Sequence, residues 1–154
     1  MQVSARRAFS LIELVIVVVI IGIIAAIAIP RMSRGATGAA ENSLKANLTL
    51  LRNAIELFQT ENAGVFPLTT ATGGVAQALM GYSDGNGGTV AYAAVRPNGY
   101  PYGPYIREIP KLGIGANKDS FTIAAAAGAG VAWVYNDTSH DIKANTGNAT
   151  YDAW

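Results

Sequence analysis

Sixteen consecutive residues near the start of the chain, Leu14 to Ile29, carry no charged or hydroxyl side chain. Counted back to Phe9 the stretch is 21 residues, and Ser10 and Glu13 are its only polar members. At about 1.5 Å per residue a helix of this length spans roughly 30 Å, the hydrocarbon thickness of a bilayer. A helix that is apolar on every side must be surrounded by lipid or by other helices. A short basic leader with Arg6 and Arg7 precedes it. Glu13 is the anomaly. A carboxylate in a spanning segment costs roughly 2.5–3.5 kcal/mol on insertion scales, and such residues mark function with a partner more often than not. Glu13 either stays wet at the interface or is paired. A cut between Ala8 and Phe9 would create an α-amine four residues before it. An amine and a carboxylate neutralise one another in a low-dielectric setting. Within one helix the two are poorly aimed; a neighbouring helix, shifted along the axis, could pair them.

A basic start followed by an apolar run is also the outline of a secretory signal. Here the run exceeds the usual core of about 7–15 residues, and Ser33-Arg34-Gly35-Ala36 is a poor cleavage site. Arg6 and Arg7 lie before the run and Arg31 and Arg34 after it, so charge alone sets no orientation.

Behind Pro30 remain 124 of the 154 residues, enough for one small domain. The chain has no cysteine, which excludes a disulfide framework, a zinc–thiolate site and a cysteine nucleophile. A net charge of +1, from 11 basic and 10 acidic residues, indicates no nucleic-acid partner.

The helix is expected to continue beyond Ile29. Pro30 removes a backbone donor and should kink or loosen it, and Gly35 and Gly38 weaken the next turns. Leu44, Leu48, Leu51, Ile55 and Phe58 then step by 4, 3, 4 and 3, a single apolar stripe. The pattern predicts a near-continuous helix from Phe9 to about Asn62, its second half amphipathic, ended by Ala63-Gly64 with Gly64 as the cap. A short helix over 72–80 follows. Residues 81–118, rich in glycine, proline and tyrosine, read as a long and mostly irregular connection folded against the domain. Strands are expected at 120–127, 131–135 and 141–144, as a meander of about three antiparallel strands. The tail from Asn145 is polar and reads as loose, with Tyr151 and Trp154 as its available anchors.

Ala8-Phe9-Ser10-Leu11-Ile12-Glu13 resembles the cleavage and methylation motif of type IV prepilins and type II secretion pseudopilins, whose usual form is Gly-Phe-Thr-Leu-Ile-Glu. The resemblance implies cutting between Ala8 and Phe9 by a membrane-embedded prepilin peptidase, N-methylation of Phe9, and pairing of Glu13 with the N-terminal amine of an adjacent subunit. Gly22 and Pro30 fall where the family has helix-loosening residues. Ala8 is a departure, since the family strongly prefers glycine before the cut. A second stretch, Phe58 to Leu79, is similar to the major pseudopilin of type II secretion. It holds Glu61-Asn62-Ala63-Gly64, Phe66-Pro67, Thr69-Thr70 and Gly74 to Leu79. Tyr105-Ile106-Arg107-Glu108-Ile109-Pro110 also follows that pattern, although Lys111 to Gly115 replaces the Asp-Pro-Trp-Gly that usually comes next. The resemblance therefore implies an α+β pilin fold, a long N-terminal helix packed on a small antiparallel sheet. Its parts would be a leader (1–8), a transmembrane and filament-core helix (9–30) and a periplasmic globular domain (31–154), held at a bacterial inner membrane.

Little in the chain points to catalysis. His140 is the only histidine, flanked by Ser139 and Asp141, and sequence neighbours on a turn do not build a nucleophile–base–orienter relay. It reads as an exposed turn residue, and the chain as not an enzyme. Major pseudopilins bind calcium through an acidic loop near the C-terminus. The corresponding region here offers Asp137, Asp141 and Asp152 without the dense acidic run, and Asp84-Gly85-Asn86 is too short for a dedicated site. No calcium ligands are carried over, so the expectation is no cofactor, with calcium the one left open.

Three functions follow. The first is a type II secretion pseudopilus subunit that polymerises with itself into a helical filament. Its implied partners are the prepilin peptidase, an assembly platform with its ATPase, minor pseudopilins and inner-membrane lipid. The second is a type IV pilin for adhesion, motility or DNA uptake. The third is a single-pass anchored binding domain that never polymerises.

Overall fold

The computed structural model describes residues 9–90 and 96–154. Its dominant element is helix α1, Leu11–Glu61. Contacts divide the chain into two units, Met1–Ala39 and Ala40–Trp154, and α1 contributes to both. In the first unit the described large apolar side chains of the helix are exposed. The helix is assigned without a break through Gly22, Pro30, Gly35 and Gly38, and a Cβ placed at Gly22 would meet nothing within 4 Å. It starts at Leu11 rather than at Phe9, because the first helical bonds run from Glu13 N and Leu14 N to Ser10 O, at 3.1 and 3.2 Å.

In the second unit the predicted stripe is the core. Leu44, Leu48, Leu51, Ile55 and Phe58 are all 2% exposed or less. Against them pack Val75, Ala78 and Leu79 of α2 (Gly74–Met80), then Ile106, Ile109 and Leu112, then the sheet. The helix ends as expected: Gly64, at φ 85, donates to Gln59 O at 2.9 Å and satisfies a terminal carbonyl.

Of the expected irregular connection over 81–118, residues 91–95 lie outside the described residues, and the rest is better organised than its composition suggests. It holds a short antiparallel ribbon, β1 (Tyr82–Ser83) with β2 (Thr89–Val90), and a bridge from Ser83 to Tyr102. A buried polar hub pins it to the end of α1. Asn62, fully buried, has its Nδ2 within 2.8 Å of Phe58 O, 3.0 Å of Ser83 Oγ and 3.1 Å of Tyr105 OH. Its Oδ1 accepts from Gly87 N at 3.2 Å. An amide fully desolvated in this way is tolerable only because both of its ends are bonded.

Three strands form the sheet, in the order β3 (Thr122–Ala124), β4 (Val131–Tyr135), β5 (Ile142–Ala144). The β4–β5 pair is antiparallel, with Trp133 opposite Ala144 and Tyr135 opposite Ile142. The β3–β4 pair is parallel, which corrects the expected all-antiparallel meander. The reason lies in the small residues of 125–130. The loop's end returns to the beginning of β3: Gly130 N donates to Asn117 Oδ1 at 3.0 Å, and Ser120 Oγ donates to Gly130 O. The chain therefore re-enters the sheet beside Thr122 and runs the same way, with an irregularity that skips Ala132. The sheet is mixed and the fold is α+β.

The tail is anchored by its two aromatics. Asn148 caps α3 (Ala149–Asp152) by accepting from Thr150 N at 3.0 Å. Tyr151 OH donates to Glu41 Oε1 at 2.7 Å, Lys45 Nζ sits 4.2 Å from the centre of the Trp154 ring, and Arg52 donates to Trp154 O. Gly115 makes room nearby: at φ +86, a Cβ there would fall 2.2 Å from Thr146 O.

Candidate functional site

The residues singled out for processing and assembly sit at the N-terminal end of α1. Ala8 lies outside the described residues, as do Arg6 and Arg7. Phe9 is 84% exposed and precedes the helix together with Ser10. Glu13 occupies the first turn of α1 and is exposed. With Leu11 as the first helical residue, Ser10 stands at the N-cap position and Glu13 three residues on. That is the Ser-x-x-Glu spacing of a capping box, a sequence signal that could have placed the helix start at Leu11. The N-terminal end of a helix carries about half a positive charge, which favours a carboxylate there.

From Leu11 to Ile27 the thirteen large apolar side chains are each at least 47% exposed, on every side of the helix. Burying such side chains stabilises by roughly 1.5–3 kcal/mol each, so embedding the whole set is worth on the order of tens of kcal/mol. Leu11–Ala28 is a helix long and apolar enough to cross a membrane. Pro30 lies on the same helix.

The other candidates do not converge. Asp137 Oδ1 accepts from Thr69 N at 2.9 Å and its Oδ2 accepts from Thr69 Oγ1, which ties two loops together. Asp141 faces Arg52 at 3.4 Å, and Asp152 accepts from Thr146 N and Oγ1, both at 2.7 Å. Asp84 Oδ1 accepts from Asn86 N and Gly88 N at 2.7 and 2.9 Å, closing its own loop. No group of three or more His, Cys, Asp or Glu side chains is placed to hold a metal among the described residues.

His140 is half-buried, which corrects its reading as an exposed turn residue. Its ring stacks on Phe66, centroids 3.9 Å apart and planes 3° from parallel, and its Nδ1 lies 3.4 Å from Tyr135 OH. A shallow groove of about 530 Å³ beside it is lined by Arg52, Glu56, Gln59 and Phe66 among others. Since Asp141 turns to Arg52 and His140 to two aromatic rings, Ser139, His140 and Asp141 form no relay.

Burial, and then the negative charge of Asp137, push the Tyr135 hydroxyl up to about 12 from an ordinary value of 10.0. An unfolded tyrosine ionises near pH 10, so the folded state resists an ionisation that the unfolded chain undergoes. The resulting stability is fully present below about pH 10 and is lost as pH rises through about 12. Tyr135→Phe should therefore show a shallower fall of melting temperature across that alkaline window. An unchanged slope would contradict the assignment.

Residues 3–29 match the family model described as the prokaryotic N-terminal methylation motif. Comparisons with curated proteins and with solved structures found no match. The matched segment contains residues 3–8, Phe9, Glu13 and the exposed apolar stretch from Leu11 to Ile27. The motif, running into that helix, fits a type IV pilin-like prepilin.

Proposed function

We propose that the chain is a structural subunit of a type II secretion pseudopilus. Prepilin peptidase cuts between Ala8 and Phe9, Phe9 is N-methylated, and the domain from residue 31 onward lies in the periplasm. The subunits leave the inner membrane to build a helical filament that assists protein export. Glu13 pairs with the Phe9 amine of the adjacent subunit and sets the axial register. Gly22 and Pro30 let the helix loosen as domains pack. No cofactor is assigned. The observation that carries this reading is the methylation motif running directly into an apolar helix exposed on all sides. Such a helix needs lipid before assembly and neighbouring helices after it. The resemblances at Phe58 to Leu79 and Tyr105 to Pro110 favour the pseudopilus over a type IV pilin.

Deleting the gene in the source bacterium tests the choice. For a pseudopilus subunit, exported proteins accumulate in the periplasm and surface filaments are unaffected. Loss of surface filaments with export intact would assign the chain to a type IV pilus instead.

A further inference from the structure

One groove of the Ala40–Trp154 unit has the size of a ligand site, about 880 Å³. Ala76, Met80, Pro104 and Ile106 wall it, and Gln77, Tyr82 and Arg107 contribute its polar side chains. The Gln77 amide is already used, donating to Thr89 O at 3.3 Å. Arg107 is exposed and makes no ion pair among the described residues, where the pair formed is Arg52–Asp141. The groove therefore suits an apolar body carrying an acid at its edge.

The same chain displays such a body. Phe121 is 57% exposed, more than any other large apolar side chain described in this unit. Asp119, two residues earlier, stands on a turn at φ 67, where its backbone N donates to Leu112 O at 2.8 Å. Its carboxylate makes no ion pair among the described residues. The neighbouring charges extend the match. Arg107 is followed by Glu108, and Asp119 is preceded by Lys118, all four exposed. Laid antiparallel, the two dipeptides oppose plus to minus at both positions, and like charges would be opposed in the parallel sense.

We propose that Phe121 of one copy seats in the groove between α2 and Pro104–Ile106 of a second copy, with Asp119 facing Arg107 and Lys118 facing Glu108. The contact joins two different patches, so it is heterologous and propagates from copy to copy. It rests on the filament reading, and it supplies that filament with a contact between globular domains.

The absence of cysteine makes the test direct. Two differently tagged full-length copies, one with Ala76→Cys and one with Thr122→Cys, are co-expressed, and their membranes are oxidised. A mixed disulfide between the two tags is expected. Phe121→Ala, an exposed position whose loss leaves the fold intact, should remove it. Arg107→Glu in both copies should lower its yield about tenfold or more, the effect of roughly 1.4 kcal/mol, and adding Asp119→Arg should restore it. A yield that ignores Arg107→Glu, or a double variant that fails to recover, overturns the proposal. So does a co-purified fatty acid filling the groove in place of a second copy. Electron microscopy of the same preparations separates the two claims. Filaments without the disulfide overturn this contact alone. The disulfide without filaments overturns the filament reading and leaves the contact standing. Absence of both overturns both.

Discussion

On the filament reading proposed above, Glu13→Ala is expected to leave the chain in the membrane and to abolish filament assembly. The substitution removes an acid from a helix that already holds thirteen exposed large apolar side chains, so insertion becomes easier by roughly 2.5–3.5 kcal/mol on insertion scales. Assembly moves the other way. Two unit charges about 4 Å apart attract by roughly 4 kcal/mol at an effective dielectric of 20. Deleting one member of a buried pair costs about 3–5 kcal/mol because the other is left uncompensated. In a filament every subunit bears that cost, and each 1.4 kcal/mol is about tenfold in an equilibrium constant, so elongation weakens by a hundredfold or more. Glu13→Gln keeps the shape without the charge and should fail almost as badly. The check is membrane fractionation beside filament yield. A variant that still polymerises would remove charge pairing from the mechanism, and absence of filaments from parent and variant alike would favour an anchored domain that never polymerises.

Trp133→Ala has the largest expected effect on the folded domain. Trp133 is fully buried in β4, opposite Ala144 on one side and Ile123 on the other. Its indole N–H donates to Pro110 O at 2.9 Å, which locks the end of the long connection to the sheet. Truncating a buried tryptophan typically costs about 3–5 kcal/mol in lost transfer energy and cavity. Pro110 O, in a residue of intermediate exposure, also loses its donor, which adds about 0.5–1.5 kcal/mol, the net worth of an ordinary hydrogen bond. Trp133→Phe separates the two contributions, since it keeps most of the volume and loses only the hydrogen bond. Denaturant unfolding of the full-length chain in detergent reads both. A loss below about 1 kcal/mol for the alanine variant would mean that this side of the core collapses around the gap.

Particular residues decide how much of this was legible from the sequence. The α1 core stripe was readable because a 3.6-residue period leaves a direct trace in Leu44, Leu48, Leu51, Ile55 and Phe58. Gly64 was readable because a left-handed cap favours glycine. The parallel pairing of β3 was not, because it depends on Asn117 and Ser120 catching Gly130 across a loop, and no periodicity encodes that. The path of residues 81–90 and 96–118 was hidden for a similar reason. It is set by the Asn62–Ser83–Tyr105 hub, a tertiary meeting of single polar residues. His140 was misjudged because its turn was visible while the Phe66 ring stacked on it was not. At the candidate site the residue types were legible from the leader onward. The capping-box spacing of Ser10 and Glu13 was present but masked by the stronger apolar run.

In the proposed assembly a peptidase exposes an amine at Phe9 that Glu13 of a neighbour then neutralises. Intact mass of the protein from its native membrane, with N-terminal fragmentation, tests it most directly. The account predicts a chain that begins with N-methylated Phe9, cut despite alanine at position 8. A chain that still begins at Met1 would leave no amine within reach of Glu13, and the assembly mechanism would be wrong.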